Sequence, residues 1–234
     1  MKLCVIPARG GSKRISKKNI RDFCGKPIIA YSIEAALASS CFDKVIVSTD
    51  EKEIAAIACE YGAEAPFIRP KELSDDYTGT NEVIKHAINW YQEKHEIISF
   101  ACCIYATAPF VRAEYIVEGY EKLSSSNKSF AFSVTSFPFP VQRAIRINAN
   151  NEIEAIWPEN VLKRSQDLEE AYHDAGQFYW GRSEAFIKDE LLFSKVSVPV
   201  ILPRHLVQDI DTLEDWCRAE LMYQAMQLKN KEKS

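Results

Sequence analysis

Apolar and polar positions along this chain fall into two alternating kinds of stretch. Short apolar runs at Leu3–Ile6, Lys44–Ser48, Ser99–Tyr105, Phe130–Thr135 and Ser197–Leu202 have the length and β-branched content of buried strands. Between them, apolar residues spaced three and four apart predict helices over Pro27–Ala38, Glu51–Tyr61, Asn81–Lys94 and Arg112–Leu123. Ala65–Ile68 reads as a further short strand, and Arg69–Thr80 (RPKELSDDYTGT) as an aperiodic surface loop. Strands alternating with helices predict an α/β chain: a mostly parallel sheet covered on both faces, three layers in all. Ser99–Tyr105 is the most uniformly apolar run and is expected at the centre.

The rhythm breaks after Thr135. Residues 136–175 carry Pro138, Pro140 and Pro158, two short strand-like runs (Ala144–Ile147 and Ile153–Ile156) and an NANN turn between them. This pattern predicts a β-hairpin insertion into an otherwise single domain spanning 1–234. Strand character resumes at Gly176–Trp180, a short helix is expected over Arg182–Lys188, and a last helix over Thr212–Leu228. The lysine-rich end, KNKEKS, reads as a frayed tail.

Composition adds exclusions. The 234 residues are enough for a full core without metals or disulfides. A formal net charge of −4 argues against general nucleic-acid binding. The seven cysteines form no CxxC pair and sit mostly in apolar runs, which is expected of a reducing compartment. No signal-like segment precedes Leu3, and no apolar run approaches membrane-spanning length, so the expected location is the cytoplasm.

The first strand runs into two glycines and five cations: Arg9, Gly10, Gly11, Lys13, Arg14, Lys17 and Lys18. Glycines let backbone amides approach a bound group, and clustered cations neutralise several phosphates. The loop lies just past a strand end, where open α/β sheets bind ligands. It therefore reads as a polyphosphate cradle, although it matches neither GxxxxGK[ST] nor GxGxxG; the alternative is a solvated basic loop. Asp209 and Asp211, one residue apart before a helix, could share an Mg²⁺ ion. Alternatively, Asp211 caps that helix with Glu214 completing the box. Asp50, with Glu53 three residues on, has the same double reading of N-cap and crevice residue. The four histidines have no zinc spacing, and no cysteine or serine sits in a recognisable nucleophile motif. His173, in YHDAGQFYW, lies in a stretch of aromatic and amide side chains.

IPARGGSKRISKKNI running into FCGKPIIAYSIEAAL resembles the opening of the CMP-sugar synthetases, cytidylyltransferases that activate eight- and nine-carbon acidic sugars with CTP. QDIDTLEDW is similar to their metal-binding segment, and the resemblance runs from Ile6 through Trp216. It implies a GT-A-like nucleotidyltransferase fold and a homodimer formed through the hairpin region. The implied reaction joins CTP and a nonulosonic acid into a CMP-sugar with release of pyrophosphate. Arg9, Lys13, Lys18 and Asn19, with the amides of Gly10, Gly11 and Ser12, would hold the triphosphate. Ala8, Thr78 and Thr80 would face the nucleoside, and Asp211 with Asp209 would hold Mg²⁺. Arg9, Lys18 and Asp211 would carry the chemistry; Asp50, Tyr105, Arg164, His173, Gln177 and Tyr179 would meet the sugar. FPFPVQR together with RSQDLEEAYHDAGQFYW looks most like the pseudaminic acid branch.

One position departs from the sialic acid pattern. Tyr105 stands where those enzymes carry a sugar-contacting glutamine, which disfavours N-acetylneuraminate and fits a more apolar nonulosonic acid. A sister synthetase for neuraminate, legionaminate or an eight-carbon acid shares every nucleotide feature. A GT-A glycosyltransferase using Asp-Ile-Asp would release no pyrophosphate, and a nucleotide-binding regulator would bind CTP without turnover.

Overall fold

The structure, a computed structural model, describes residues 1–231. In chain order it contains β1 (Lys2–Pro7), β2 (Asp22–Phe23), β3 (Lys26–Pro27), α1 (Ile28–Ser39), β4 (Lys44–Ser48), α2 (Lys52–Glu60), α3 (Thr80–Gln92) and β5 (Phe100–Ile104). These are followed by α4 (Ala113–Ser124), β6 (Phe130–Ser136), β7 (Ile145–Ile147), β8 (Ile153–Ala155), β9 (Tyr172–Arg182), α5 (Ser183–Ile187), β10 (Ser197–Ile201) and α6 (Leu213–Lys231).

Six strands form the main sheet in the order β10-β6-β9-β5-β1-β4. β4, β1 and β5 are mutually parallel, and β10 is parallel to β6. Only β9 runs against its neighbours, antiparallel to both β5 and β6. The sheet is thus parallel-dominated, and β5 lies inside it as expected.

Burial on both faces explains why these strands are apolar throughout rather than alternating. Cys4 and Ile6 of β1 pack with Ile29 and Ile33 of α1 and Ile116 of α4 on one face. Leu3 and Val5 point the other way, into a cluster with Ile84 and Ile88 of α3 and Phe186 of α5. A third cluster sits off the sheet edge, where Ile15, Phe23 and Tyr31 meet Ile210, Trp216 and Ala219. It ties the basic loop after β1 to the start of α6, two segments nearly 200 positions apart.

Several expectations are corrected. Ala65–Ile68 does not form a strand; only isolated bridges join Glu64 to Ile46 and Ile68 to Thr49, because Pro66 interrupts the ladder. β9 starts four residues earlier than its apolar run, since Tyr172–Asp174 pair with β6 despite their polarity. α6 continues through Lys231, so the predicted fraying does not apply to Lys229–Lys231; the rest of KNKEKS lies outside the described residues. The insertion does contain a two-stranded antiparallel hairpin, β7–β8, with Arg146 paired to Glu154 at 2.8 Å across it.

Candidate active site

β1 and β5 are buried parallel neighbours, so the chain leaves both at the same end of the sheet, and a cavity of about 320 Å³ opens there. The loop after β1 is pinned from two sides. Gly10 N–H donates to Asp50 Oδ1 at 2.9 Å, and Asn19 Nδ2 donates to the Arg9 carbonyl at 2.9 Å. A Cβ at position 10 would lie 2.6 Å from Glu51 Cγ, so a larger residue there would have to displace the exposed Glu51 side chain.

Four of the loop's five cations converge on two carboxylates, while Lys17 pairs with Glu53 at 2.6 Å. Arg9 donates to the Asp75 carbonyl at 2.6 Å and lies 2.7 Å from Asp76 Oδ1, and Lys13 also pairs with Asp76. These hydrogen bonds, Lys13 first, hold the Asp76 carboxyl below the usual carboxylate range. On the opposite wall Lys18 Nζ donates to the Ile210 carbonyl at 2.7 Å and lies 3.5 Å from Asp211 Oδ1, while Arg14 sits 3.1 Å from Asp211 Oδ2.

Asp211 has this freedom because it does not cap α6. Thr212 and Asp215 form the box instead: Asp215 Oδ2 accepts from Thr212 N–H at 2.8 Å, and Thr212 Oγ1 accepts from Asp215 N–H at 3.2 Å. The expected Asp211–Glu214 box is thereby displaced by one residue. Asp50 caps nothing either. The residue before α2 is Glu51, without a side-chain cap, and Asp50 is committed to Gly10.

A second cavity of about 580 Å³ adjoins the first at Tyr105, which lines both. The Tyr105 hydroxyl lies 3.4 Å from Thr80 Oγ1, and its ring tilts against Tyr179 with centroids 5.2 Å apart. Burial raises the phenol pKa of both tyrosines. Tyr179 donates to Asp174 Oδ2 at 2.6 Å. Asp209 lines this second cavity while Asp211 lines the first, with buried Ile210 between them. Burial, and then the neighbouring Asp211 charge, raises the Asp209 carboxyl pKa.

Of the residues expected from sequence, Arg9, Ser12, Lys13, Lys18, Asn19, Thr78, Thr80, Tyr105 and Asp211 line the first cavity. Tyr105, His173, Tyr179 and Asp209 line the second. The structure does not bring the others to either. Gly10, Gly11 and Asp50 line a separate cavity on the outer side of the loop. Two of the three cradle amides are spent within the chain, Gly10 on Asp50 and Ser12 on the Gly10 carbonyl at 2.9 Å. Ala8 is wholly buried, and its N–H continues the sheet to the Ser48 carbonyl at 2.9 Å. Gln177 is buried, with its amide nitrogen donating to the Leu206 carbonyl. Arg164 is exposed on the insertion and paired with Asp167 at 2.7 Å.

Arg69, Asp75 and Asp76 went unread in the sequence. Arg69 is buried against the first cavity, its Nε donating to Ser74 Oγ at 3.1 Å. Desolvation lowers its pKa from the usual arginine range, opposed by the Asp50 charge. The readable signal was two consecutive aspartates in a loop of the same chain as a five-cation loop.

A parallel-dominated sheet with a cation-lined cavity beyond its strand ends defines an α/β protein that takes its ligand at the strand termini. The cytidylyltransferase family model matches residues 3–214, and the chain belongs to that family. Pseudaminic acid cytidylyltransferase of Campylobacter jejuni is 47% identical over 221 residues, covering 94% of this chain and 95% of that one. CMP-N,N'-diacetyllegionaminic acid synthase of Legionella pneumophila is 31% identical, covering 96% and 97%. A solved CMP:2-keto-3-deoxy-manno-octonic acid synthetase complexed with CTP shares the fold, with a TM-score of 0.68 over 97% of this chain and 98% of that one at 16% identity.

Proposed function

We propose that the protein transfers the cytidylyl group of CTP to a nonulosonic acid, pseudaminic acid foremost, releasing pyrophosphate. The observation that carries this reading is the junction at Tyr105. A cation-lined cavity suited to a triphosphate shares that wall with a larger cavity of mixed polar and apolar lining suited to a nine-carbon sugar. The identity with the Campylobacter jejuni enzyme along nearly the whole of both chains supports the choice of sugar.

In this reading the sugar's anomeric hydroxyl oxygen forms a bond to the α-phosphorus. The bond from that phosphorus to the bridging oxygen breaks, pyrophosphate leaves with the electron pair, and the hydroxyl proton passes to solvent. Negative charge moves toward the leaving group, so fixed cations there act chiefly on the transition state. Arg9, Lys13, Arg14 and Lys18 supply them, Lys18 from a position locked by the Ile210 carbonyl. Thr78 and Thr80 line the same cavity, Thr80 beside Tyr105, and would face the nucleoside.

Asp211 fits Mg²⁺ by donor chemistry, a hard carboxylate on the cation-lined cavity that leaves positions for water and phosphate; Asp209 opens on the second cavity across Ile210 and would reach the ion only from that side. Among the described residues no group of three or more His, Cys, Asp or Glu could hold a metal ion. When bound, Mg²⁺ would neutralise phosphate charge. We further infer a homodimer built on the 136–175 insertion, which exposes Ile145, Ile147 and Ile153 on one hairpin. Seven free cysteines support a cytoplasmic setting, and no described helix is long and apolar enough to cross a membrane.

Pyrophosphate release with CTP and Mg²⁺ tests this, comparing pseudaminic, legionaminic and N-acetylneuraminic acids. Preference for pseudaminate is expected. Preference for another acid would keep the chemistry and change the acceptor; CTP binding without release from any acid would overturn the reading.

A further inference from the structure

The cations of the first cavity all have partners. Arg9 and Lys13 engage Asp76, while Arg14 and Lys18 engage Asp211. The second cavity differs. Arg204 and Arg218 both line it, and among the described residues neither has an ion pair or a side-chain hydrogen bond within the chain. Two guanidiniums that line one cavity without partners inside the chain each present a planar fork matched to a carboxylate.

Their backbones are firmly held. Arg204 opens the short turn Arg204–Leu206, whose Leu206 is buried and whose Leu206 carbonyl accepts from Gln177. Arg218 lies on α6 between Trp216 and Ala219, both buried in the third core cluster. The acids on the same wall are otherwise engaged or placed. Asp174 accepts from Tyr179 and from Gly176 N–H at 2.9 Å, and Asp209, which shares the cavity, makes no ion pair with either arginine.

Resting on the function proposed above, we propose that Arg204 and Arg218 bind the carboxylate of the acidic sugar and fix which end of it faces the nucleotide. A nonulosonic acid carries its carboxylate on the anomeric carbon itself. Clamping that group therefore sets the position of the attacking hydroxyl, one atom away, at the Tyr105 junction. A neutral sugar would leave both guanidiniums without a counter-charge, so the pair also selects for acidity. Gln177 then acts as a positioning residue, through the turn that carries Arg204.

The competing anion is pyrophosphate, and kinetics in both directions separate the two. Arg204→Gln and Arg218→Gln are expected to raise KM for the sugar acid by about 10- to 100-fold each, as loss of a hydrogen bond to a charged group does. KM for CTP, and for pyrophosphate in the reverse direction, should change less than about twofold on the same grounds. Arg204→Lys and Arg218→Lys should recover part of the loss, because charge returns without the fork. Retained CTP affinity shows that each variant is folded. A raised KM for pyrophosphate or CTP with sugar KM unchanged would give the guanidiniums to phosphate and overturn the assignment. So would variants with all three constants unchanged. Failure of the parent protein to turn over any of the acids counts against the proposed reaction itself, not against the pair.

Discussion

Lys18 and Asp211 are separated by 193 positions, yet the Lys18 ammonium lies 3.5 Å from the Asp211 carboxylate and 2.7 Å from the carbonyl before it. One cation thus both faces the first cavity and anchors the acidic segment that enters α6. Asp211→Asn preserves shape and the Thr212–Asp215 cap, so it should leave stability nearly unchanged. It should lower kcat by about 100-fold or more if the carboxylate serves metal and phosphate. Pyrophosphate release at saturating CTP, alongside thermal denaturation, checks both halves. Turnover near the parent value would remove Asp211 from the chemistry.

The cap itself behaves in the opposite way. Asp215→Ala or Thr212→Ala should cost about 1 kcal/mol of stability, the usual worth of an N-cap. The effect on KM for CTP should be small beside that of Lys18→Ala. Urea denaturation of each variant reads this directly.

Gly181 pairs with Ala101 and Phe130 in the sheet, where a Cβ would lie 2.5 Å from Phe186 Cε2 and 2.7 Å from Phe130 Cδ1. Neither ring can retreat from a filled core. Gly181→Ala should therefore destabilise by about 1–3 kcal/mol. Gly11→Ala, with nothing within 4 Å of its Cβ, should not. Comparing the two denaturation midpoints tests whether close packing or turn flexibility demands each glycine.

His86 packs its ring edge-on against Phe67 at 4.8 Å, and its Nδ1 is buried without a partner. Burial, and then the nearby Arg69 charge, lowers its pKa against the weaker pull of Glu93 and Glu72. The unfolded chain thus binds a proton more readily than the folded one. Its contribution is full above the unfolded value of about 6.5 and is lost as pH falls below that. From about pH 7.5 to about pH 5.5 the parent Tm should drop more than that of His86→Gln. Parallel curves would assign the acid sensitivity elsewhere.

The hairpin offers a test of assembly. Ile147 and Ile153 are a cross-strand pair, 69% and 71% exposed. On the proposed assembly, replacing both with glutamate should turn the dimer into a monomer in light scattering without altering the fold seen by circular dichroism. An unchanged mass would move the interface off the insertion.

Much of this was legible because it is local. Strands buried on both faces announce themselves as apolar runs, and the cations after β1 are contiguous in sequence. What stayed hidden depended on distant partners. Asp50 has the spacing of a cap, but its partner is Gly10 N–H, 40 positions away. Gln177 looks like a ligand residue in an apolar strand, yet Leu206 satisfies it inside the protein. Arg69 and Asp76 fall in an aperiodic loop whose composition says surface, and only the fold turns that loop against the basic one. The direction of β9 was unreadable for a related reason: a strand's apolar pattern is the same whichever way it runs.

Tyr105 belongs to both compartments, touching Thr80 with its hydroxyl and Tyr179 with its ring. On the proposed reading, engineering at this position is coupled: any residue that reshapes acceptor choice would also move a wall of the cavity proposed for the nucleotide, entangling gains in one substrate with losses in the other. Positions 204 and 218 border the larger cavity without bordering the smaller one. On the proposed reading, a library aimed at acceptors that lack the carboxylate should begin there and leave the tyrosine alone.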